Sequence, residues 1–385
     1  MASFGGLMVA VLLLKTGLLC SSESPQNAFC EIGSLERFPR PQEPKLPYPY
    51  DEEEVSFENA SDGVILSGTL TLPRKPGSFP AVILLHGSAP FDRDYSGHGH
   101  KFFLVWADHL TKQGIGVLRF DKRSAGKSTG SYDTATLEDF ADDALAGVEY
   151  LKTRKEINPK QIGLIGHSEG GMTAALGASK SNDLAFIILM AAPCMNGEEI
   201  VHVQEALLQR ADGVPEKMVA QSQLLRKLVF ALLREEKNQE IAEHKMREIF
   251  TRHLSKLTPS QRKLAEIPFG PMEAQIQFCN STWFRYWLTY DPISALKQIK
   301  IPILALNGEL DFVVSSKHNL SRMDQVFKEI GHKDYTSFEL PKLNHAFQTC
   351  QTGSILEYAN IEETTSPLVL MMMSEWILER TIKQR

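Results

Sequence analysis

Gly166-His167-Ser168-Glu169-Gly170-Gly171 follows the apolar run Gln161-Ile162-Gly163-Leu164-Ile165 and leads into Met172-Thr173-Ala174-Ala175-Leu176-Gly177-Ala178. The pattern reads as a strand, a tight turn and a helix, with a serine at the apex. Glycines two before and two after the serine let the backbone bend sharply without Cβ clashes, which leaves the hydroxyl exposed at the end of a sheet. The helix that starts there aims backbone N–H groups and its positive dipole end at whatever approaches the hydroxyl. A bare G-x-S-x-G arises by chance. The strand before it and the helix after it make Ser168 the candidate nucleophile.

The flanking segments set this turn in an alternating pattern. On the N-terminal side, Ala81-Val82-Ile83-Leu84-Leu85 is a continuous apolar run, as expected for a central parallel strand covered on both faces, and it ends in His86-Gly87-Ser88-Ala89-Pro90. A helix over about 100–112, the strand Ile115–Phe120 and a second helix over about 136–153 follow. Thr136 with Asp139 three residues on is close to a capping box. On the C-terminal side, Ala185–Met190 is another buried strand. This β-α-β-α order predicts a doubly wound, mostly parallel sheet with right-handed crossovers and a site at the carboxyl ends of the strands. Upstream, Val55–Phe57 and Val64–Leu72 read as an antiparallel hairpin, with Leu66, Gly68, Leu70 and Leu72 on a buried face and Ser67, Thr69 and Thr71 on an exposed one.

From about 196 to 295 the strands stop and helical patterns rich in Glu, Lys, Gln and Leu take over, notably 198–210, 216–235 and 239–254. Placed between two sheet strands on the catalytic edge, this insertion reads as a cap over the site that sets substrate shape. Trp283-Phe284-Arg285-Tyr286-Trp287 is the candidate stretch for lining its pocket. The sheet resumes at Ile301–Leu306, followed by Asn307-Gly308-Glu309-Leu310-Asp311, a helix over about 316–331, the strand Thr336–Leu340 and a terminal helix over about 366–382. The expected organisation is a leader at 1–24, an extended arm at 25–54, a core formed by 55–195 and 296–385, and the cap at 196–295.

Three strand ends therefore carry a serine, an acid and a histidine: Ser168, then Glu309 or Asp311, then His345. A serine hydroxyl is a poor nucleophile until a base takes its proton during attack, and a neutral imidazole is suited to that task. The acid holds the imidazole in one tautomer and stabilises the imidazolium. Donors for a developing oxyanion are expected from the backbone N–H of Glu169 and that of Ser88 or Ala89.

Bulk properties narrow the field. The 385 residues are 43% hydrophobic and 23% charged, ordinary for a globular enzyme, and long enough for one large α/β domain with an insertion. A net charge of −6 gives no electrostatic reason to expect nucleic acid or an anionic membrane as partner. Leu7–Leu14, interrupted at Lys15 and followed by Cys20-Ser21-Ser22, is too short to span a bilayer and reads as a secretory signal peptide. The expectation is a secreted protein with no stable membrane span. Cys30, Cys194, Cys279 and Cys350 then form an even set that is either oxidised in one of three pairings or free and buried. Asn59, Asn280 and Asn319 head glycosylation sequons, which makes the chain a candidate glycoprotein.

Several of these segments together resemble the α/β-hydrolases over roughly residues 55–385. The narrower likeness is to secreted bacterial-type serine hydrolases near the serine aminopeptidases and acyl esterases. It rests on the Ser168 turn, His86–Asp94, His100–Val105, Arg119–Ser128 and Leu343–Thr349, with Asp92-Arg93-Asp94 and His345–Thr349 the more specific stretches. The resemblance implies an α/β-hydrolase fold, a mostly parallel central sheet flanked by helices with a helical cap insertion. It also implies the chain order Ser168, Asp311, His345, with Asp311 preferred to Glu309 by its place after Gly308, and no metal or cofactor. Ala89 and Ser124 stand where that pattern usually has glycine.

Other motifs are weaker. Gly126-Lys127-Ser128 imitates the end of a P-loop but has Asp121 where a glycine is required. His98 and His100 with Asp92 and Asp94 have metal-ligand chemistry but read as a loop and a helix entry. Asp121 and Arg123 read as loop-holding residues. The leading expectation is a carboxylic ester hydrolase working through an acyl-enzyme on a small-molecule acyl ester. An aminopeptidase or acyl-thioesterase with the same three residues comes next, and a binding protein with idle residues last.

Overall fold

The structure, a computed structural model, describes residues 38–265 and 270–382. The expected leader, Cys20, Cys30 and the first part of the arm lie outside the described residues. An eight-stranded sheet forms the centre, in spatial order β1-β2-β4-β3-β5-β6-β7-β8. The strands are β1 (Tyr50–Asn59), β2 (Val64–Pro73), β3 (Phe79–Leu85), β4 (Gly116–Phe120), β5 (Ile157–His167), β6 (Phe186–Met190), β7 (Ile303–Gly308) and β8 (Tyr335–Leu340). The pairs β1–β2 and β2–β4 are antiparallel, and every other neighbour pair is parallel. The carboxyl ends of β3, β5, β7 and β8 thus share one edge of the sheet.

The side chains of each central strand divide between two faces, so the strands read as unbroken apolar runs. Ala81, Ile83 and Leu85 of β3 join one buried cluster with Ala144 and Val148 of α2 (Leu137–Lys152), Ala174 and Ala175 of α3 (Glu169–Lys180), and Leu320. Val82 and Leu84 point the other way, into a cluster with Phe103 and Trp106 of α1 (Phe102–Lys112) and Met373 and Ile377 of α12 (Pro367–Ile382). Helices on both faces are what such strands require. Thr136 caps α2, with its N–H donating to Asp139 Oδ2 at 2.7 Å in a reciprocal capping box.

Two details differ from the sequence expectation. The acidic run Asp51–Glu54 is part of β1 and not of the arm, because each glutamate is held by an arginine: Glu52 by Arg119, Glu53 by Arg154 and Glu54 by Arg93. The polar face of β2 is buried as well, with Thr69 at 3% and Thr71 at 0% exposure. Helix α1 covers that face, where the Thr71 and Thr111 hydroxyls lie 2.7 Å apart, and Arg93 covers the rest by donating to Ser67 Oγ at 2.9 Å.

Between β6 and β7 stand α4 (Gly197–Ala211), α5 (Glu216–Glu235), α6 (Gln239–Leu254), α7 (Pro259–Ala265), α8 (Met272–Asn280), α9 (Thr282–Thr289) and α10 (Pro292–Leu296). Phe230, Met246, Ile276 and Trp283 from these helices form one buried cluster that continues into Met172 and Leu176 of α3. The cap is therefore seated on the helix that starts at Ser168. Helix α11 (Ser316–Glu329) links β7 to β8.

Cys194, Cys279 and Cys350 are free, buried thiols. Asn59 is buried and donates Nδ2 to Asp143 at 2.8 Å, and Asn319 is buried between Cys194 N–H and the Ser315 carbonyl. Neither amide faces solvent in the folded chain. No helix among the described residues is long and apolar enough to cross a membrane.

Candidate active site

Ser168 follows β5 directly and has φ +57° and ψ −122°, a conformation costly for a residue with a side chain. The bend is taken by the serine itself. The glycines around it supply room: a Cβ on Gly166 would lie 2.0 Å from Gly170 O, and one on Gly170 would lie 2.1 Å from Leu85 O. The strained turn is held by Ser168 N–H donating to Met190 O at 2.8 Å and Gly171 N–H donating to Ser168 O at 2.9 Å. Glu169 is the first residue of α3, so its N–H has no partner one helical turn earlier.

Asp311 and His345 meet at the ends of β7 and β8, with Asp311 Oδ2 2.8 Å from His345 Nδ1. The carboxylate is buried and fully engaged. Oδ1 accepts from Val313 N–H at 2.9 Å and Val314 N–H at 2.7 Å, and Oδ2 also accepts from Asn307 Nδ2 at 3.0 Å. With three N–H donors already on its two oxygens, the carboxyl accepts the bond to the ring as well, which places a proton on His345 Nδ1. Nε2 then carries a lone pair. Glu309, the other acid the sequence offered, is exposed and accepts from Lys342 N–H at 3.0 Å, away from the imidazole.

Both backbone groups of His345 are clamped: its N–H donates to Tyr358 Oη at 3.3 Å, and its carbonyl accepts from His167 Nε2 at 2.8 Å. A carbonyl can only accept, so His167 carries its proton on Nε2 and accepts through Nδ1 from Tyr95 Oη, 3.0 Å away. Tyr95 Oη in turn accepts from Gly87 N–H at 3.2 Å. One directed chain of hydrogen bonds therefore runs from the loop after β3 to the histidine loop after β8. Burial pushes the His167 ring down to about 3, with the neighbouring His345 ring (centroids 4.7 Å apart) adding to the effect. His167 stays neutral, as the chain needs. The loop around His345 is shaped by Asn344, whose Oδ1 accepts from Ala346 N–H and Gln348 N–H.

The loop after β3 is also strained. Ala89 has φ +143° and Ser124, in the loop after β4, has φ +66°. These are the two positions where the family pattern usually has glycine, and the backbone keeps the conformation that pattern implies. Arg93 holds the segment by donating to Asp121 Oδ2 (2.9 Å) and Gly68 O (2.8 Å), while Asp94 pairs with Arg119. Arg123 bonds Asp143 at 2.7 Å and also pairs with Asp62.

Lys122, between those two loop-holding residues, was not singled out by sequence. It is 5% exposed, and Nζ donates to Glu169 Oε1 at 2.5 Å and to Gly87 O at 3.0 Å. The Phe140 and Tyr132 rings lie 4.1 and 4.9 Å from Nζ. Burial lowers the Lys122 pKa, and the charge of Glu169 opposes that. A charged run Asp121-Lys122-Arg123 reads as solvated loop, and the partner is 47 residues away, so periodicity held no signal for this pair.

A cavity of about 490 Å³ opens over Ser168. Its floor is Ser88, Ala89, Ser168 and Glu169, and its cap wall includes Phe278, Trp283, Phe284 and Trp287. Of the aromatic stretch expected to line it, Trp283, Phe284 and Trp287 do so. Tyr286 instead donates to Glu138 at 3.1 Å, and Arg285 bonds the Glu236 carbonyl. Tyr132 completes the wall from the core, stacked on Trp283 with centroids 6.1 Å apart. The charged residues that line the cavity are Asp133, Glu169 and Glu243, with no lysine or arginine among them.

The metal-like His98/His100 group is spent elsewhere. His100 lies 2.9 Å from Thr364 Oγ1 and 3.2 Å from Tyr358 O, and Asp92 Oδ1 accepts from Ser96 N–H. No cluster of three or more His, Cys, Asp or Glu able to hold a metal ion occurs among the described residues.

Comparison with known proteins extends this picture. A family model described as serine aminopeptidase, S33 matches residues 79–264. Esterase EstD of Thermotoga maritima is 31% identical over 184 residues, 47% of this chain and 42% of that protein. Thiohydrolase aneE of Aspergillus aculeatus is 30% identical over 160 residues, 39% of this chain and 47% of that protein. The matched stretch spans less than half the length of either curated relative. Among solved structures, the Pyrococcus furiosus esterase Pf2001 aligns over 90% of this chain and 99% of its own with TM-score 0.51 and 18% identity. The α/β hydrolase GrgF from Penicillium aligns over 86% and 99% with TM-score 0.54 and 16% identity. At such identities these structures show the fold alone. With the sequence matches, they make the chain a member of the α/β-hydrolase superfamily.

Proposed function

We propose that the chain is a serine hydrolase that cleaves carboxylic esters of small molecules through an acyl-enzyme on Ser168. The observation that carries the reading is the Asp311–His345 contact of 2.8 Å at the same sheet edge as a serine in a strained turn. His345 Nε2 takes the Ser168 proton as Oγ attacks the ester carbonyl, and Asp311 stabilises the imidazolium that forms. The oxyanion is met by the N–H groups of Ser88 and Glu169, each donor of this kind being worth about 3 kcal/mol. His345 then protonates the departing alkoxide. Water, deprotonated by His345, attacks the acyl carbonyl and releases Ser168.

The cavity supports an uncharged substrate with a flat or branched apolar group. Its wall is aromatic, and its charged lining groups are all acidic, which disfavours a second carboxylate on the substrate. The same acids favour a second reading, an aminopeptidase in which Asp133 or Glu243 meets a free amine. An active-site-directed fluorophosphonate separates the hydrolase from an idle scaffold: labelling is expected at Ser168 and absent in Ser168→Ala, and wild-type protein that resists labelling overturns the mechanism. Turnover of p-nitrophenyl acyl esters is expected to exceed that of aminoacyl anilides, and the reverse order replaces the first reading by the second.

A further inference from the structure

We infer that Lys122 and Glu169 form a buried brace that positions both N–H donors of the oxyanion hole, which makes Lys122 a positioning residue; the inference rests on the reading of Ser168 as nucleophile. Lys122 Nζ touches each half of that hole through a different part of the chain. Its bond to Gly87 O, 3.0 Å long, engages the carbonyl end of the peptide unit whose other end is Ser88 N–H. A peptide unit is planar, so fixing the carbonyl fixes the direction of the N–H. A cation at the oxygen also polarises the unit in the sense that makes the N–H a stronger donor. Its second bond, 2.5 Å to Glu169 Oε1, holds the side chain of the residue whose own N–H is the other donor.

The surroundings fit this role better than that of a simple ion pair. Lys122 and Glu169 are 5% and 1% exposed, and burying two charges is expensive unless the pair is well satisfied. Here Glu169 Oε2 has no hydrogen-bond partner. What sets the pair apart is the lysine donor spent on the Gly87 carbonyl. The loop it grips also needs holding, because Ala89 at φ +143° persists only if its neighbours over-determine it. Lys122 N–H donates to Phe91 O at 3.0 Å, so backbone and side chain of one residue secure both sides of Ala89. Phe140 and Tyr132 shield the ammonium from water, which keeps its field undiluted at the peptide it contacts.

The test measures kcat and KM for p-nitrophenyl acetate, and Ki for a boronic acid whose tetrahedral adduct occupies the oxyanion hole. It uses wild-type protein, Ser168→Ala, Lys122→Met and Glu169→Gln. Losing one oxyanion donor outright costs about 100- to 1,000-fold, so loosening both in Lys122→Met is expected to lower kcat by roughly 10- to 100-fold. KM should stay within about threefold, and boronate affinity should fall by the same factor as kcat/KM, a parallel that general loss of structure does not produce. Wild-type kcat in Lys122→Met, or a fall in kcat with unchanged boronate affinity, overturns the brace. If Lys122→Met does not fold, Glu169→Gln carries the test. It keeps the shape and an acceptor, and should lose roughly 3- to 10-fold in kcat with boronate affinity in step; wild-type values there also overturn it. Turnover that Ser168→Ala abolishes, beside an unaffected brace variant, refutes the brace alone, whereas absent turnover in wild type refutes the nucleophile reading and the brace together.

Discussion

Among the described residues stand two buried cation–glutamate pairs, one in the core and one in the cap. In the core, Lys122 meets Glu169 beneath Ser168. In the cap, Arg226 of α5 meets Glu205 of α4 at 3.2 Å and Gln275 of α8 at 2.7 Å, all nearly inaccessible. Both glutamates leave one carboxylate oxygen without a hydrogen-bond partner. The chemistry is alike, and the neighbours differ. Arg226 ties three helices together, and neither it nor Glu205 lines the cavity. Lys122 holds the Gly87 carbonyl and the Glu169 side chain, and Glu169 follows Ser168 directly in the chain. Of two similar pairs, one ties the helices of the cap together, and the other is the one proposed above to brace the oxyanion hole.

Substitutions can pull these roles apart. Asp311→Asn is the reference, since it leaves both pairs intact while letting His345 adopt the wrong tautomer; kcat of the folded protein is expected to fall about 10,000-fold. Arg226→Met should do the opposite. Leaving Glu205 as an uncompensated buried charge costs about 3–5 kcal/mol, visible in denaturant unfolding, while kcat of the folded fraction stays near wild type. A large kcat loss in that variant without unfolding would erase the contrast with Lys122. Pairing Arg226→Met with Glu205→Leu should restore most of the stability, because a well-packed apolar pair often matches a buried ion pair.

Acid sharpens the comparison from the core side. His86 and His167 are held neutral by burial, both pushed down from 6.5 to about 3. Each is neutral in the folded chain and takes up a proton on unfolding below its ordinary value. Their contribution is therefore complete above about pH 6.5 and is lost as pH falls toward 3, by about 1.4 kcal/mol per pH unit for each ring. Urea midpoints measured between pH 7 and pH 4.5 should fall accordingly, and a flat profile would show that these rings do not titrate on unfolding. The smallest effect is expected from Ala89→Gly, which relieves a strained φ and should raise stability by about 1 kcal/mol. A lower melting temperature would mean that the loop gains more from alanine's restricted unfolded state than it loses in strain.

What could be read in the chain before its structure follows from range. The turn at Ser168, the alternation of strands and helices, the capping box at Thr136 and the helices of the cap are written in residues within one turn or one strand of each other. The order Ser168, Asp311, His345 was legible because the fold sends three strand ends to one edge. The Asp311-or-Glu309 choice needed the resemblance, and the backbone decides it: Val313 and Val314 N–H turn toward Asp311 and none of this surrounds Glu309. The relay from Gly87 through Tyr95 and His167 to His345 joins residues 72 and 178 apart, and no local pattern marks it. The same holds for the polar face of β2. Alternation promised water there, and α1 covered it. Lys122 was hidden most completely, since a lysine between an aspartate and an arginine looks like surface.

The three buried thiols make the chain its own clock for local opening. Cys279 lies in the cap, Cys194 in the connection from β6 to α4, and Cys350 in the loop beyond His345, and burial pushes their pKa values up to about 11, 12 and 11. A thiol so rarely ionised reacts with an alkylating reagent only when its surroundings part. The rate at each position, resolved by mass spectrometry of the peptides, then times local opening of the cap, of its connection to β6 and of the histidine loop separately.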